Sequence, residues 1–319
     1  MNDDAAVTAV VSDFLAYKRA LGRKYETEEA ALRLLVRFAD EHGVTDLDGL
    51  TGPLLEEFLG SRPRHRARSF NHLVLVVTGF LNWAVAQGRL PACPLQRIRR
   101  PETAERLPFI FETSQVRLIL AAAGALDDNP RARNRAMIHR TVFALCYGLG
   151  LRAGEACNLQ VGDVDTDRQL ITVRGGKFGK SRLVPHGPRI GELLTSRLNH
   201  CSTVPTDPLF SFDGRRSIHP CTSSSVFHQI ITELDFTVPD GVSAPRLHSL
   251  RHSFAVGCLL RWYREGIDPS DRLFRLSTFM GHVSPESTAV YLRMTPELLT
   301  EGADRFETYA QSVWMEATP

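Results

Sequence analysis

The chain has 319 residues, of which 43% are hydrophobic and 23% charged, with a formal net charge of +2. That length exceeds what one typical core fills and predicts two domains. No apolar run reaches the roughly 18 residues of a membrane span. The six cysteines never form a C-x-x-C pair. Membrane, disulfide and metal roles are therefore not expected, and a reducing cytoplasm fits.

The first hundred residues read as a helical bundle. Val7, Val10, Val11 and Phe14 recur at helical spacing, as do Leu32, Leu35, Val36 and Ala39, with Gly43 as a stop. A short helix is expected from Gly52 to Gly60, then a long one with the stripe Leu73, Val77, Phe80, Leu81 and Ala84, ending at Gly88. From Phe58 to Arg100 there are eight arginines and no Asp or Glu, although the whole protein is nearly neutral. A basic run is usually a solvated helix face. The absence of acids points instead to contact with a DNA backbone. The candidates are Arg62, Arg64, Arg66 and Arg68, with Lys18, Arg19, Arg23 and Lys24 as a second cluster. Arg97, Arg99 and Arg100 lie among Pro91, Pro94 and Pro101, which reads as a basic linker. The predicted domains are 1–103 and 104–319.

The second domain opens with a helix capped by Thr113, followed by an apolar helix from about Ala132 to Leu149. L-R-A-G-E then places Arg152 on a turn between helices, where the bland reading is a surface arginine at a helix C-terminus. Gln169 to Val173 and Lys180 to Pro185 form the clearest hairpin, with Lys177 at its glycine-flanked tip. Most such lysines are merely solvated. Helices are expected at about Pro188 to Asn199 and Ser223 to Leu234. Asp268-Pro269, Ser284-Pro285 and Thr295-Pro296 each pair a polar cap with proline, so Tyr291 should sit near the end of a short helix or just past it. A last amphipathic helix is expected at about 296–314.

The densest chemistry lies between His248 and Tyr291. On a helix, His248, Arg251 and His252 occupy positions i, i+3 and i+4, so imidazole and guanidinium groups share a face suited to one phosphate. A His-x-x-Arg pair alone is usually a solvated face, so the order of the whole set decides. G-L-R-A-G-E at Gly150, G-K at Gly176 with R-L-V-P at Arg182, H-S-L-R-H at His248, G-H at Gly281 and a tyrosine at 291 together resemble the catalytic domain of tyrosine recombinases, or phage integrases. The resemblance spans about 140 residues, and the helical first domain is similar to the family's core-binding domain. Two details stand apart: the segment from Arg251 to Gly281 looks longer than in compact members, and L-S-T-F-M-G-H-V-S-P-E-S-T looks most like recombinases of transposable elements.

This resemblance implies a mainly α fold with a small β-hairpin or sheet. It implies Tyr291 as nucleophile, forming a 3′-phosphotyrosyl link. Arg152 and Arg251 would hold the phosphate, Lys177 would protonate the leaving group, His248 would assist proton transfer at Tyr291, and His282 would bond the phosphate. Lys180 and Arg182 on the return strand join the DNA-contacting set. No metal, cofactor or ATP is expected. The implied partners are double-stranded DNA, further copies as a dimer on one site and a tetramer in the synapse, and, as an alternative to copies alone, a second recombinase. Two other readings stay open on the residues: a catalytically silent DNA-binding relative, and a type IB topoisomerase-like enzyme.

Overall fold

In the computed structural model the described residues are 6–61, 64, 66–96, 99–101, 106–175, 181–282, 284, 286–293, 300, 303 and 307. The chain divides into two units, Met1–Glu105 and Arg106–Pro319. The expected C-terminal helix at 296–314 lies outside the described residues, as do Arg62, Arg97, Lys177 and Lys180.

The first unit is built from α1 (Val7–Ala20), α2 (Glu26–Glu41), α3 (Gly52–Ser61) and α4 (Ala67–Ala86). Helix α1 buries the expected Val7, Val10, Val11 and Phe14, and α2 buries Leu32, Leu35 and Ala39, with Val36 of the expected stripe only partly buried. Phe14 meets Phe80 and Trp83 at ring separations of 5.6 and 5.4 Å. Among the described residues α4 alone is long and apolar enough to cross a membrane, with a mean hydropathy of 1.4, which corrects the expectation that no stretch reaches that length. Its residues Phe70, Leu73, Val74, Val76, Val77, Phe80, Leu81 and Ala84 pack into this unit's core.

The basic linker needs correcting too. Asn71 Nδ2 donates to the Arg100 carbonyl and Arg100 N–H donates to Asn71 Oδ1, both at 2.8 Å. The Arg100 guanidinium lies 3.8 Å from the Phe70 ring centre and donates to the Arg64 carbonyl. Arg100 is thus stitched to α4, an arrangement that a count of prolines and arginines does not reveal.

The second unit is organised on α6 (Arg135–Gly148), flanked by α5 (Thr113–Gly124) and followed by α7 (Ala153–Cys157). Ile138, Val142, Phe143, Leu145 and Cys146 of α6 are all within 1% of complete burial. A side chain such as Phe143 contributes about 1.5–3 kcal/mol by leaving water. The cap of α5 is Glu112, which exchanges bonds with Gln115, while Thr113 is its first helical residue. Helix α6 begins three residues later than expected. Asn134 has φ 57°, and Asp128 accepts the N–H groups of Asn134 and Arg135.

An antiparallel sheet follows in the order β1 (Val164–Asp165), β2 (Leu170–Val173), β3 (Arg182–Pro185), with Ile171 opposite Val184. The two-residue β1 is too short to show in sequence. Next come α8 (Pro188–Leu198), α9 (Pro220–Leu234), α10 (Leu247–Arg264), α11 (Pro269–Met280) and α12 (Glu286–Ala289), then a 3-10 turn, Val290–Arg293. Helix α9 starts three residues early because His219 caps it through the Cys221 N–H. The longer segment after Arg251 is the extension of α10 to Arg264 together with α11.

Candidate active site

Three arginines converge on one helix end. Helix α11 stops at Gly281, whose φ of 68° is left-handed, and its last carbonyls have no partner within the helix. Arg182 Nε donates to the Phe279 carbonyl at 2.9 Å, Arg251 to Met280 at 2.9 Å and Arg152 to Gly281 at 2.8 Å. The negative end of the helix dipole thereby fixes three guanidiniums side by side. Glycine is required at 281, because a Cβ there would stand 2.6 Å from an Arg182 nitrogen. At the other side of the cluster Arg251 also donates to the carbonyl of Gly150, a second left-handed glycine with φ 60°.

The counter-charge is Glu155. Arg152 donates to its Oε1 at 2.6 Å, and Arg182 bonds both oxygens at 3.0 and 2.8 Å. The Arg152 backbone N–H also donates to it, at 3.1 Å. Burial alone would raise the Glu155 pKa. The bonds from Arg182 and Arg152 outweigh it and hold the carboxyl down at about 2. Three cations against one anion leave the cluster with a net positive charge. Arg251 is 1% exposed, and burial with the neighbouring Arg152 lowers its pKa to about 10, so it remains ionised at neutral pH.

Tyr291 stands in the 3-10 turn, buried as part of the apolar cluster that includes Val256, Leu259 and Met280. Burial raises the phenol above its ordinary 10.0, although Arg251 and Arg152 pull it down. Its Oη lies 3.0 Å from His252 Nδ1, which accepts the phenol O–H when that imidazole carries its proton on Nε2. His248 packs edge-on to His252, with ring centres 4.6 Å apart. His282 stacks on Tyr291 at 6.2 Å, and its Nδ1 lies 2.6 Å from Thr288 Oγ1. Desolvation and the arginines lower all three imidazoles, His252 to about 3 and His282 to about 4. At neutral pH they are uncharged, each able to donate from one nitrogen and accept at the other.

Of the expected catalytic set, Arg152, Arg251, His248, His282 and Tyr291 come together, and Lys177 falls outside the described residues. The resemblance implies His248 at the phenol; the imidazole within hydrogen-bond distance is that of His252. Glu155 was assigned no role, although its position three residues after Arg152 was the available signal.

Arg182, expected to contact DNA, is committed to Glu155 and Phe279 and is 13% exposed. In the first unit Lys18 lies over the rings of Phe14, Tyr17 and Tyr25, and Arg19 pairs with Glu29. Arg89, one of the eight arginines in the acid-free segment, pairs with Asp13 at 2.7 Å. Arg23, Lys24, Arg66, Arg68, Arg99 and Arg100 are exposed and Arg64 half-buried.

A model of the phage integrase family matches residues 110–297. The chain is 31% identical to a putative integrase/recombinase, y4rB, of Sinorhizobium fredii, over 93% of this chain and 96% of that protein. It is 30% identical to a tyrosine recombinase XerC of a Mycobacterium species, over 91% and 94%. Among solved structures, the Tn1549 transposon integrase in complex with a circular intermediate DNA superposes with a TM-score of 0.63 at 15% identity, covering 95% of this chain and 99% of that one. That last likeness concerns the fold.

Proposed function

The chain belongs to the phage integrase family and is a tyrosine-type site-specific DNA recombinase, and from that premise we propose that Tyr291 cleaves DNA through a 3′-phosphotyrosyl intermediate in the service of a mobile element. The observation that carries the strand-transfer reading is the convergence of Tyr291, His252, Arg251 and Arg152 beside one helix end. The mobile-element role draws its support from the residues around Gly281-His282.

In this reading the scissile phosphate binds against Arg152 and Arg251. The attack of Tyr291 Oη on phosphorus places extra charge on the nonbridging oxygens, and fixed guanidiniums stabilise that charge. The new Oη–P bond replaces the bond to the 5′ oxygen, which departs as a hydroxyl after taking a proton. The phenol's raised pKa means that its proton must leave during attack, and His252 Nδ1 is the acceptor in reach. Burial and, behind it, neighbouring positive charge depress His252; a bound phosphate offsets the charge contribution, which makes His252 a better base once DNA is in place. His248 and His282 donate to the phosphate from the rim, and Lys177 protonates the leaving oxygen. The bond energy stays in the phosphotyrosyl link, and a second 5′-hydroxyl reverses the step. Assembly as a dimer on one site and a tetramer across two, through the segment 296–314, extends this proposal.

The test uses nicked duplexes selected for binding from a random pool, incubated with the full chain and resolved on a denaturing gel. Wild type should give a covalent adduct. Tyr291→Phe should give none while its gel shift is unchanged. Binding by wild type with no adduct would overturn the reading, and an adduct that survives Tyr291→Phe would move the nucleophile elsewhere.

A further inference from the structure

We propose that Arg182 is a positioning residue: by serving as the counter-ion of Glu155, it leaves the charge of Arg152 available to the scissile phosphate. The inference rests on the strand-transfer reading above and concerns how the phosphate site keeps its charge.

The two arginines treat Glu155 differently. Arg182 engages both carboxylate oxygens with two nitrogens and uses its third on the Phe279 carbonyl, so its whole guanidinium is committed inside the protein. Arg152 gives the carboxylate one side-chain nitrogen and turns another to the Gly281 carbonyl. Its side chain is also the more open of the two, 29% exposed against 13% for Arg182. One arginine closes the carboxylate, and the other remains accessible to a ligand.

Glu155, with 7% of its side chain exposed, must be neutralised because a buried carboxylate without a cation is costly. If Arg182 were absent, Arg152 would be the remaining side-chain partner. The pair would then carry no net charge, and its geometry would be set by the carboxylate. An incoming phosphate would face Arg251 and a neutralised Arg152. Arg182 also lies so close to Gly281 that a Cβ at that position would stand 2.6 Å from one of its nitrogens. A direct grip on DNA does not suit a side chain with all three nitrogens engaged.

The experiment measures single-turnover adduct formation on the nicked duplex for full-length wild type, Arg182→Leu, Glu155→Gln and the double variant, with gel shifts for binding and circular dichroism for folding. Arg182→Leu should slow cleavage about 10²-fold while affinity changes little, the size expected when a reacting group is misplaced. Adding Glu155→Gln to Arg182→Leu should recover at least about tenfold, because removing the anion releases Arg152.

A double variant no faster than Arg182→Leu would overturn the proposal, as would an Arg182→Leu protein that cleaves at the wild-type rate. If Arg182→Leu does not fold, Arg182→Lys and Arg182→Gln replace it. The lysine should then cleave clearly faster than the glutamine, and equal rates would overturn the idea. Wild type that binds DNA without forming an adduct sinks the strand-transfer reading itself. Failed recovery with an active wild type sinks only the role of Arg182.

Discussion

The two units use arginine in opposite ways. In the first, Arg66 and Arg99 stand in solvent, where their charge acts over a distance and is screened by salt. In the second, Arg251 is buried and held at both ends by the carbonyls of Gly150 and Met280. A guanidinium fixed in this way cannot search for a phosphate, so the phosphate must come to it. Substitutions in the second unit should therefore act on the chemistry, and those in the first on affinity.

The hardest test of this contrast is Arg251→Lys. A lysine keeps the charge but cannot reach both carbonyls and a phosphate with a planar fork. Adduct formation should fall about 10³-fold, the scale for losing a preorganised donor to developing charge. The gel shift should stay nearly unchanged. If affinity and rate fell together, the buried cluster would be a binding element and the contrast would collapse.

A smaller effect separates the two imidazoles near the proposed nucleophile. His252→Ala should reduce adduct formation by about 10²-fold, as expected for losing a general base. His248→Ala should cost less in the attack step, because its ring packs on His252 and not on the phenol. The reverse order in single-turnover rates would return the base role to His248.

The second unit also carries a pH liability away from the site. His139 is fully buried on α6 between Phe143 and Phe212. Burial, and then the charge of Arg135, lowers its pKa from 6.5 to about 4. As the pH falls, the unfolded chain takes up this proton first. The stability that His139 contributes is complete above about 6.5, declines between 6.5 and 4, and is level below. At pH 5 the loss is about 2 kcal/mol. Urea melts at pH 7.5 and pH 5 should show it, and His139→Phe should remove that share while the share of His252 and His282 persists. A stability that rises from pH 7.5 to pH 5 would refute this account.

What the sequence made legible follows the range of the interactions. Apolar stripes on α1, α2 and α4 repeat every three or four residues, so local periodicity exposes them. The catalytic set is readable because its order along the chain is itself a signal. Pairings between distant residues are not: nothing near Arg182 in the sequence marks Glu155 or Phe279 as its partners, and nothing near Arg100 marks Asn71. Sequence alone therefore does not separate an arginine paired inside the fold, such as Arg182, from one left in solvent, such as Arg66. His252 was visible as part of one helix face, but its bond to Tyr291 depends on a turn 39 residues away.

The mildest prediction concerns the first unit, and it refines the contrast by dividing its cations. Lys18 sits over aromatic rings and Arg19 is paired with Glu29, so both already have partners in the protein. Arg66 and Arg99 are exposed, Arg66 immediately before the first turn of α4. If Arg66 and Arg99 each neutralise one phosphate, Arg66→Ala and Arg99→Ala should each lower the slope of log affinity against log salt by about 0.9. Lys18→Ala and Arg19→Ala should leave the slope unchanged, and cleavage of fully bound DNA should be the same in all four. Binding titrations across a range of salt concentrations measure this directly. Equal slopes for all four variants would mean that exposure does not select the contacting cations, because a partnered arginine can exchange its carboxylate for a phosphate when DNA arrives.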